Sequence, residues 1–493
     1  MQPENMYIPA EHLPTLVPLS WNGDRLISQT PIDAISNPSS ELTILHTGDL
    51  HSSVDGKPND DGTIYGGLAR IATTIRQARS AGPTLVLDTG DLVFGEGTRW
   101  NAHGAGAVAQ LRATAGCDLA TIGNHDVERG QISLQELIEE GIRFVSANLS
   151  VDNSELQALI PPAYIANIGG WRVGISGITT LATFDYVPHR IMQGITLSDP
   201  QEAIARVVRA IEAVVDTIIV LSHLGYYEDG RGDYALAAHL AGSKVSVIVG
   251  GHTHNPLQPA PTIAGIVVCN AGSQGKYVDE IKLRWSDPGV IRVKARLLLQ
   301  DETIADDADL LAARSKIEQN VLAADKTHFS LPTLPQQGIA ASARNPEYAL
   351  LAKALTAARI ADPEAVLFIP LIYVVGRLPS ENYATTTDIL TVYPNLEYLI
   401  EAEISGKALK ELLTVQHSFL SYEQAYPLWL NDETPVQTEQ LQDADTYKLL
   451  ITELMLQGHL GWSEMRHELR NSRVLDVTCS QVVLNYLRGE EVV

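Results

Sequence analysis

The sequence predicts a layered α/β fold built in two units. Three observations carry this expectation. From residue 42 onward, short aliphatic or β-branched runs alternate with helix-like stretches; each run ends in a cluster of Gly, Asp, Asn or His; and the alternation fades near residue 299. Strands alternating with helices make α/β layers, and such folds carry their sites at strand ends. The 493 residues exceed the size at which a single hydrophobic core stops growing, so two domains are expected.

Residues 1–40 are rich in proline and poor in periodicity, and read as an irregular N-terminal arm. The strand runs that follow are LTILHT, TLVLDTG, IRFVSAN, WRVGISGI, TIIVLSH, VSVIVGG and GIVVCNAG. Between them, GGLARIATTIRQARSAG and DPQEAIARVVRAIEAVV repeat their apolar residues every three to four positions, as helices do. This first unit is expected over residues 41–303. Residues 304–329 read as a linker helix, followed by the breaker-rich SLPTLPQQG. A second unit, 330–493, carries its own helix (NPEYALLAKALTAARIA) and strands (AVLFIPLIYVV, YLIEAEI, YKLLITELML).

With 45% hydrophobic and 19% charged residues, the composition is that of a globular protein. Its 35 basic and 59 acidic residues leave a charge of -24, which argues against a nucleic-acid polymer or an anionic membrane as partner. A small phosphorylated substrate remains open, because bound divalent cations reverse the sign locally. Cys117, Cys269 and Cys479 are scattered and suggest neither a disulfide framework nor a thiolate zinc site. The start, MQPENMYIPAEHLP, lacks the basic and apolar regions of a secretory signal. A cytoplasmic location is expected, or a periplasmic or secreted one if a leader was removed.

The chemistry is concentrated in five clusters at predicted strand ends. These are D-x-H (Asp49, His51), G-D (Asp91), the G-N-H-D of GNHDVERG (Asn124, His125), His223 in LSHLG, and G-H-T-H (His252, His254). Carboxylate and imidazole ligands suit divalent ions, here two of manganese, zinc, iron or magnesium (Mn, Zn, Fe or Mg). A pair of such ions suits displacement at phosphorus. Any one cluster is weak; the ordered set of five is not. His46, His103, His189 and His239 match no cluster and read as structural.

The ordered set resembles the calcineurin-like metallophosphoesterase superfamily. TILHTGDLHS, the G-K-Y-V of AGSQGKYVDEIKLRW and the two-unit layout resemble its 5'-nucleotidase branch, with the UDP-sugar hydrolases and 2',3'-cyclic phosphodiesterases. The resemblance implies a four-layer α/β/β/α sandwich followed by a smaller α/β domain that recognises substrate. It implies that Asp49, His51, Asp91 and His254 hold one ion and Asp91, Asn124, His223 and His252 the other, with Asp91 bridging. It implies that His125, oriented by an acid three residues on, stabilises charge developing on the phosphoryl or leaving group. That acid is Glu128 here where the family has aspartate, and Gly48 stands where the family has asparagine.

In the second unit the resemblance is looser. TTDILTVYPNLEYLIEAEISGKALKELL resembles the family segment with a D-I-x-x-V-x-P core. YVVGRLP leaves Arg377 as the candidate anion ligand, and GHLGW keeps Trp462 as the candidate for stacking on a base, with Tyr426 or Trp429 as a second. The reading is a dinuclear metal-dependent hydrolase of phosphate esters, acting on a nucleotide or related small molecule as a monoesterase or cyclic phosphodiesterase. Two alternatives stand beside it: a metal-containing binding or scaffold protein with little turnover, and a sulfur ester hydrolase resembling the thiosulfohydrolases.

Overall fold

Two sheets pack face to face in the first unit of the computed structural model. The structure describes residues 8–28, 39–59, 61–94, 99–287, 290–325, 327–332, 346–359, 361–362, 364–369, 374, 378–379, 383–394, 397–415, 427–430, 436–459 and 462–490. The chain divides into one unit of residues 1–95 and 104–319 and another of 96–103 and 320–493.

The larger sheet has eight strands in the order Thr262–Ile263, Ile266–Asn270, Val245–Gly250, Thr217–His223, Trp171–Thr179, Ala163–Ile168, Thr15–Asn22 and Arg25–Ile27. The smaller has five, ordered Val290–Leu299, Tyr277–Asp287, Glu41–Thr47, Thr84–Asp88 and Leu119–Ala120. Leu42, Ile44, Leu85 and Leu87 of the smaller sheet meet Val173, Ile175, Ile219, Leu221, Val247 and Val249 of the larger in one buried core. On the outer face of the larger sheet, the helix Pro200–Ile211 presents Ile204, Val207, Val208 and Ile211 to Ile218, Val220 and Ile248. Those four positions are one face of a 3.6-residue helix, and Asp199 caps its start by accepting the Glu202 N–H at 2.9 Å. The helix Leu68–Ala81 buries Leu68, Ile71, Ala72 and Ile75 against the smaller sheet. The result is the helix, sheet, sheet, helix sandwich that the resemblance implied.

The central strands are parallel: Glu41–Thr47 with Thr84–Asp88, and Trp171–Thr179, Thr217–His223, Val245–Gly250 and Ile266–Asn270 in succession. Parallel strands put their C-terminal ends on one side, where crevices outside such sheets bind ligands.

Three local expectations differ from the structure. Part of the N-terminal arm is not irregular: Thr15–Asn22 is a strand paired with Ala163–Ile168, its Val17 and Leu19 buried in a two-residue alternation. Pro18, which lacks a donor, falls where only that one neighbour runs alongside, since the pairing with Arg25–Ile27 begins at Ser20. IRFVSAN forms only an isolated bridge between Phe144 and Ala120, because its partner strand is just two residues long. In YKLLITELML the strand Thr446–Thr452 gives way to the helix Glu453–Gln457.

The second unit is a five-stranded sheet ordered Leu428–Trp429, Val366–Leu367, Thr446–Thr452, Leu399–Ser405 and Arg470–Val474. One face is covered by Pro346–Ala358 and Cys479–Arg488, through Tyr348, Leu351, Leu355, Val482 and Val483. The other is covered by Gly406–Val415, through Ala408, Leu409 and Leu412. Residues 99–103, a short helix, pack with Thr386–Val392 in this unit.

Among the described residues, no helix is long and apolar enough to cross a membrane.

Asp233 is a costly buried acid outside the ligand clusters. It is fully buried; Ser222 Oγ donates to its Oδ1, and its Oδ2 has no hydrogen-bond partner among the described residues. Burial pushes its pKa up to about 7. The native state therefore binds a proton between the ordinary carboxylate range and about 7 that the unfolded chain does not, so this group's contribution to stability falls as pH rises through that window. Asp233→Asn removes the slope. Thermal melts are expected to show a gain in Tm over wild type, on the order of a few °C at pH 8, that shrinks at pH 4.5; an equal difference at both values would contradict this assignment.

Candidate metal centre

The C-terminal ends of both sheets carry the chemical clusters. Asp49 and His51 follow Glu41–Thr47, Asp91 follows Thr84–Asp88, and Asn124 follows Leu119–Ala120. His223 ends Thr217–His223, and His252 and His254 follow Val245–Gly250. The loops continue the parallel pairing past the strands: Asp49 N–H donates to Gly90 O at 2.9 Å, His51 N–H to Asp91 O at 2.9 Å, and Gly251 N–H to Ser222 O at 3.0 Å.

All seven candidate ligands converge. Ligand atoms of Asp49, His51 and His254 form one group within 4.8 Å of one another, and those of Asp91, His223 and His252 form another. Asn124 Oδ1 joins the second group, 3.2 Å from His223 Nε2 and 2.9 Å from His252 Nδ1. Asp91 lies between the groups, with Oδ2 3.1 Å from His223 Nε2 and 3.8 Å from His51 Nε2. His51 Nε2 and His254 Nε2 stand 2.9 Å apart, and Asp49 Oδ1 is 3.6 Å from His254 Nε2.

The backbone is unusual at the same positions. Asp49, His51, Asp91, His252 and His254 all adopt positive φ, between 47° and 72°. Non-glycine residues rarely do so, and such strain clusters at functional sites. The close approach of the loops also needs a residue without a side chain: a Cβ on Gly123 would lie 2.1 Å from Asp91 Oδ1.

Asp126 clamps the two loops together. Its carboxylate accepts the N–H groups of Asp91, Leu92 and Gly123, each at 2.9 Å, although the residue is fully buried. Burial raises its pKa to about 7, the Asp91 charge adding to the effect and the Gly123 N–H opposing it. A loop acid that accepts backbone groups from a second loop has no spacing signature.

The cluster is electrostatically divided. Burial would lower the pKa of His223, but the charge of Asp91, its hydrogen bond and the charge of Asp49 outweigh this and raise it to about 10. Burial and the neighbouring His223 push His252 down to about 3. Asp49 is raised to about 8 by burial, against the opposing charge of His223. Burial also opposes ionisation of Asp91, yet His223 and His125 hold its carboxyl well below the usual range.

His125 Nδ1 pairs with Glu128, and the His125 N–H donates to Asp91 Oδ1 at 2.8 Å. Burial would lower its pKa, but the charges of Asp91 and Glu128 and the bond from Glu128 raise it to about 9. Its ring lies edge-on to His51, with centroids 5.1 Å apart, and the three residues His51, Asp91 and His125 are also close enough to hold an ion.

Residues 42–256 match the calcineurin-like phosphoesterase family. The matched stretch contains all seven candidate ligands. A snake venom 5'-nucleotidase from Gloydius brevicauda is 30% identical over 319 residues, covering 58% of this chain and 52% of that protein. The 5'-nucleotidase of Mus musculus is 31% identical over 308 residues, 55% of this chain and 51% of that one. The chain thus spans about half the length of the curated relatives it matches. The crystal structure of a 5'-nucleotidase precursor from Thermus thermophilus shares the fold over 92% of this chain and 97% of that one, with a TM-score of 0.67 and 22% identity.

Trp462 is fully buried among Phe368, Ile404, Leu409 and Met455, its ring edge-on to Phe368 at 5.4 Å. The stacking expected of it is corrected to a core role, because no ring surface is left for a base. Arg377 and Tyr426 lie outside the described residues, and Trp429 contributes backbone to the strand Leu428–Trp429.

Gly48 has a structural reason. A Cβ there would lie 2.0 Å from Thr89 Oγ1, which is 3.1 Å from His46 Nε2, while His46 Nδ1 faces Asp279 at 2.8 Å. Thr89 also supplies the carbonyl that His223 Nδ1 meets at 2.6 Å. Neither Thr89 nor Asp279 was singled out by the sequence.

Removing the Asp126 carboxylate would strand four buried donors, the N–H groups of Asp91, Leu92, Val93 and Gly123, each charge-assisted bond being worth about 1.5–3 kcal/mol. Asp126→Ala is expected to weaken manganese or zinc binding roughly 10–100-fold, as loss of support behind metal ligands does. Calorimetric titration of metal into the apoprotein checks this; wild-type affinity in the variant would show that Asp126 does not position the site.

Proposed function

We propose that the chain is a dinuclear metal-dependent phosphoesterase that hydrolyses a phosphate ester of a nucleotide or related small molecule. The observation that carries this reading is the sharing of Asp91 between two ligand groups at converging strand ends. A buried carboxylate flanked by opposed imidazoles, two of whose Nε2 atoms face each other at 2.9 Å, fits cations better than an empty cleft. In this reading Asp49, His51, Asp91 and His254 hold one ion, and Asp91, Asn124, His223 and His252 the other. Bound divalent ions supply Lewis acidity toward the phosphoryl oxygens and lower the pKa of water toward ~7.

The chain's own groups complete the chemistry. Glu128 occupies Nδ1 of His125, so the proton available to substrate is on Nε2. With Nδ1 engaged by Glu128 and its pKa raised, His125 is suited to meeting negative charge on the phosphoryl or leaving oxygen. The Asn124 amide lies beside it. The 5'-nucleotidase relatives support a nucleotide-like substrate.

Protein reconstituted with manganese or zinc is expected to release phosphate from aryl phosphates or nucleoside monophosphates, and chelation to abolish release. Asp91→Asn should remove the activity. His125→Ala should lower kcat by roughly 10²–10⁴-fold with metal content retained. If wild type hydrolyses none of a broad panel and cannot be told from Asp91→Asn, the reading fails.

The pH profile gives a second check. Glu128 raises the pKa of His125, so Glu128→Gln lowers it, and the alkaline limb of kcat/KM should move to lower pH by on the order of one unit. An unmoved limb would separate Glu128 from the chemistry.

A further inference from the structure

We propose that Tyr186 touches the leaving group of the substrate and so contributes to specificity from within the phosphoesterase domain; the inference rests on the phosphoesterase reading above. Thr179, the last residue of Trp171–Thr179, lies in register with His223, so the segment after it leaves the sheet at the end where the metal ligands gather. Thr179 Oγ1 donates to Ile122 O at 2.8 Å, tying this strand end to the loop that carries Asn124 and His125.

The next residues hold their shape through buried anchors. Thr183 Oγ1 donates to Thr180 O at 2.7 Å, Val187 N–H to Thr183 O at 3.0 Å, and both Thr183 and Val187 are fully buried. Between these anchors the short helix Thr183–Tyr186 leaves the Tyr186 side chain 44% exposed.

That exposed ring stands beside the chemistry. Its centroid is 6.4 Å from the His125 ring, at a tilt of 36°, and 6.1 Å from the His252 ring, at 70°. His125 is read as meeting charge on the phosphoryl or leaving oxygen, and His252 as an ion ligand. A side chain at this distance from both meets the atoms just beyond the scissile oxygen, not the phosphoryl group itself. An aromatic ring offers those atoms a flat apolar surface, suited to the carbon skeleton of a sugar or nucleoside.

Binding separates this inference from turnover. A non-hydrolysable nucleoside 5'-phosphonate and inorganic phosphate are titrated into manganese-loaded wild type, Tyr186→Ala and Tyr186→Phe. Tyr186→Ala should weaken the phosphonate by at least about fivefold while leaving inorganic phosphate unchanged, and Tyr186→Phe should bind both within about twofold of wild type. Equal weakening of both ligands, or of neither, overturns the role assigned to Tyr186 while leaving the phosphoesterase reading standing. Failure of inorganic phosphate to bind the manganese-loaded wild type overturns that reading and this inference with it.

Discussion

The Asp126 carboxylate sets the spacing on which the centre depends. The strand ends bring the loops near one another, but the N–H groups of Asp91, Leu92 and Gly123 all point at one buried acceptor, which fixes where Asp91 stands. Asp91 in turn faces His223, His51 and the His125 N–H. Displacing it would open both ligand groups at once. Because its charge is satisfied by backbone donors, Asp126 does not compete for the cations that the ligand side chains are arranged to attract.

The surrounding electrostatics follow the same division between neutralised and unneutralised acids. Beneath the site, Asp88 accepts from Arg112 Nε at 3.1 Å and from Thr47 Oγ1 at 2.7 Å, while Arg112 also reaches Thr47 Oγ1 at 2.7 Å. A buried ion pair with further hydrogen bonds can stand the loss of hydration. Asp49 and Asp91 have no guanidinium or ammonium partner among the described ion pairs, only imidazoles and backbone N–H groups. Keeping these two acids buried without a strong base beside them is costly, and it leaves their oxygens for divalent ions to neutralise. Positive φ at five of the seven candidate ligands adds local strain to that cost.

That the candidate ligands would gather at one place was legible because their signal is local. Each sits within a few residues of an apolar run, and a parallel strand delivers whatever follows it to the same side of the sheet. The sandwich was legible for the same reason, through the period of the runs between Glu41 and Leu299. What the sequence hid depends on distant partners. Asp126 matters through a loop some thirty residues upstream, Thr89 through His46 and His223, and Tyr186 through the path of a short segment that no periodicity describes. Trp462 misled for the converse reason: an aromatic after a glycine-rich stretch looks the same in sequence whether its ring faces a cleft or Phe368.

The two departures from the family's residues are answered by contacts that keep the geometry without keeping the identity. At Gly48 the space a side chain would occupy is filled by Thr89 Oγ1, which links the buried His46 and Asp279 pair to the loop whose carbonyl orients His223. At Glu128 the added methylene does not break the pair with His125. The segment His125–Val127 is a tight 3₁₀ turn, in which side chains three residues apart nearly eclipse. The carboxylate therefore reaches Nδ1 from the next turn, and His125 keeps the raised pKa that this contact and Asp91 impose. A residue-by-residue comparison counts both positions as losses, whereas the contacts count them as substitutions, and it is the contacts that orient a ligand or hold a proton.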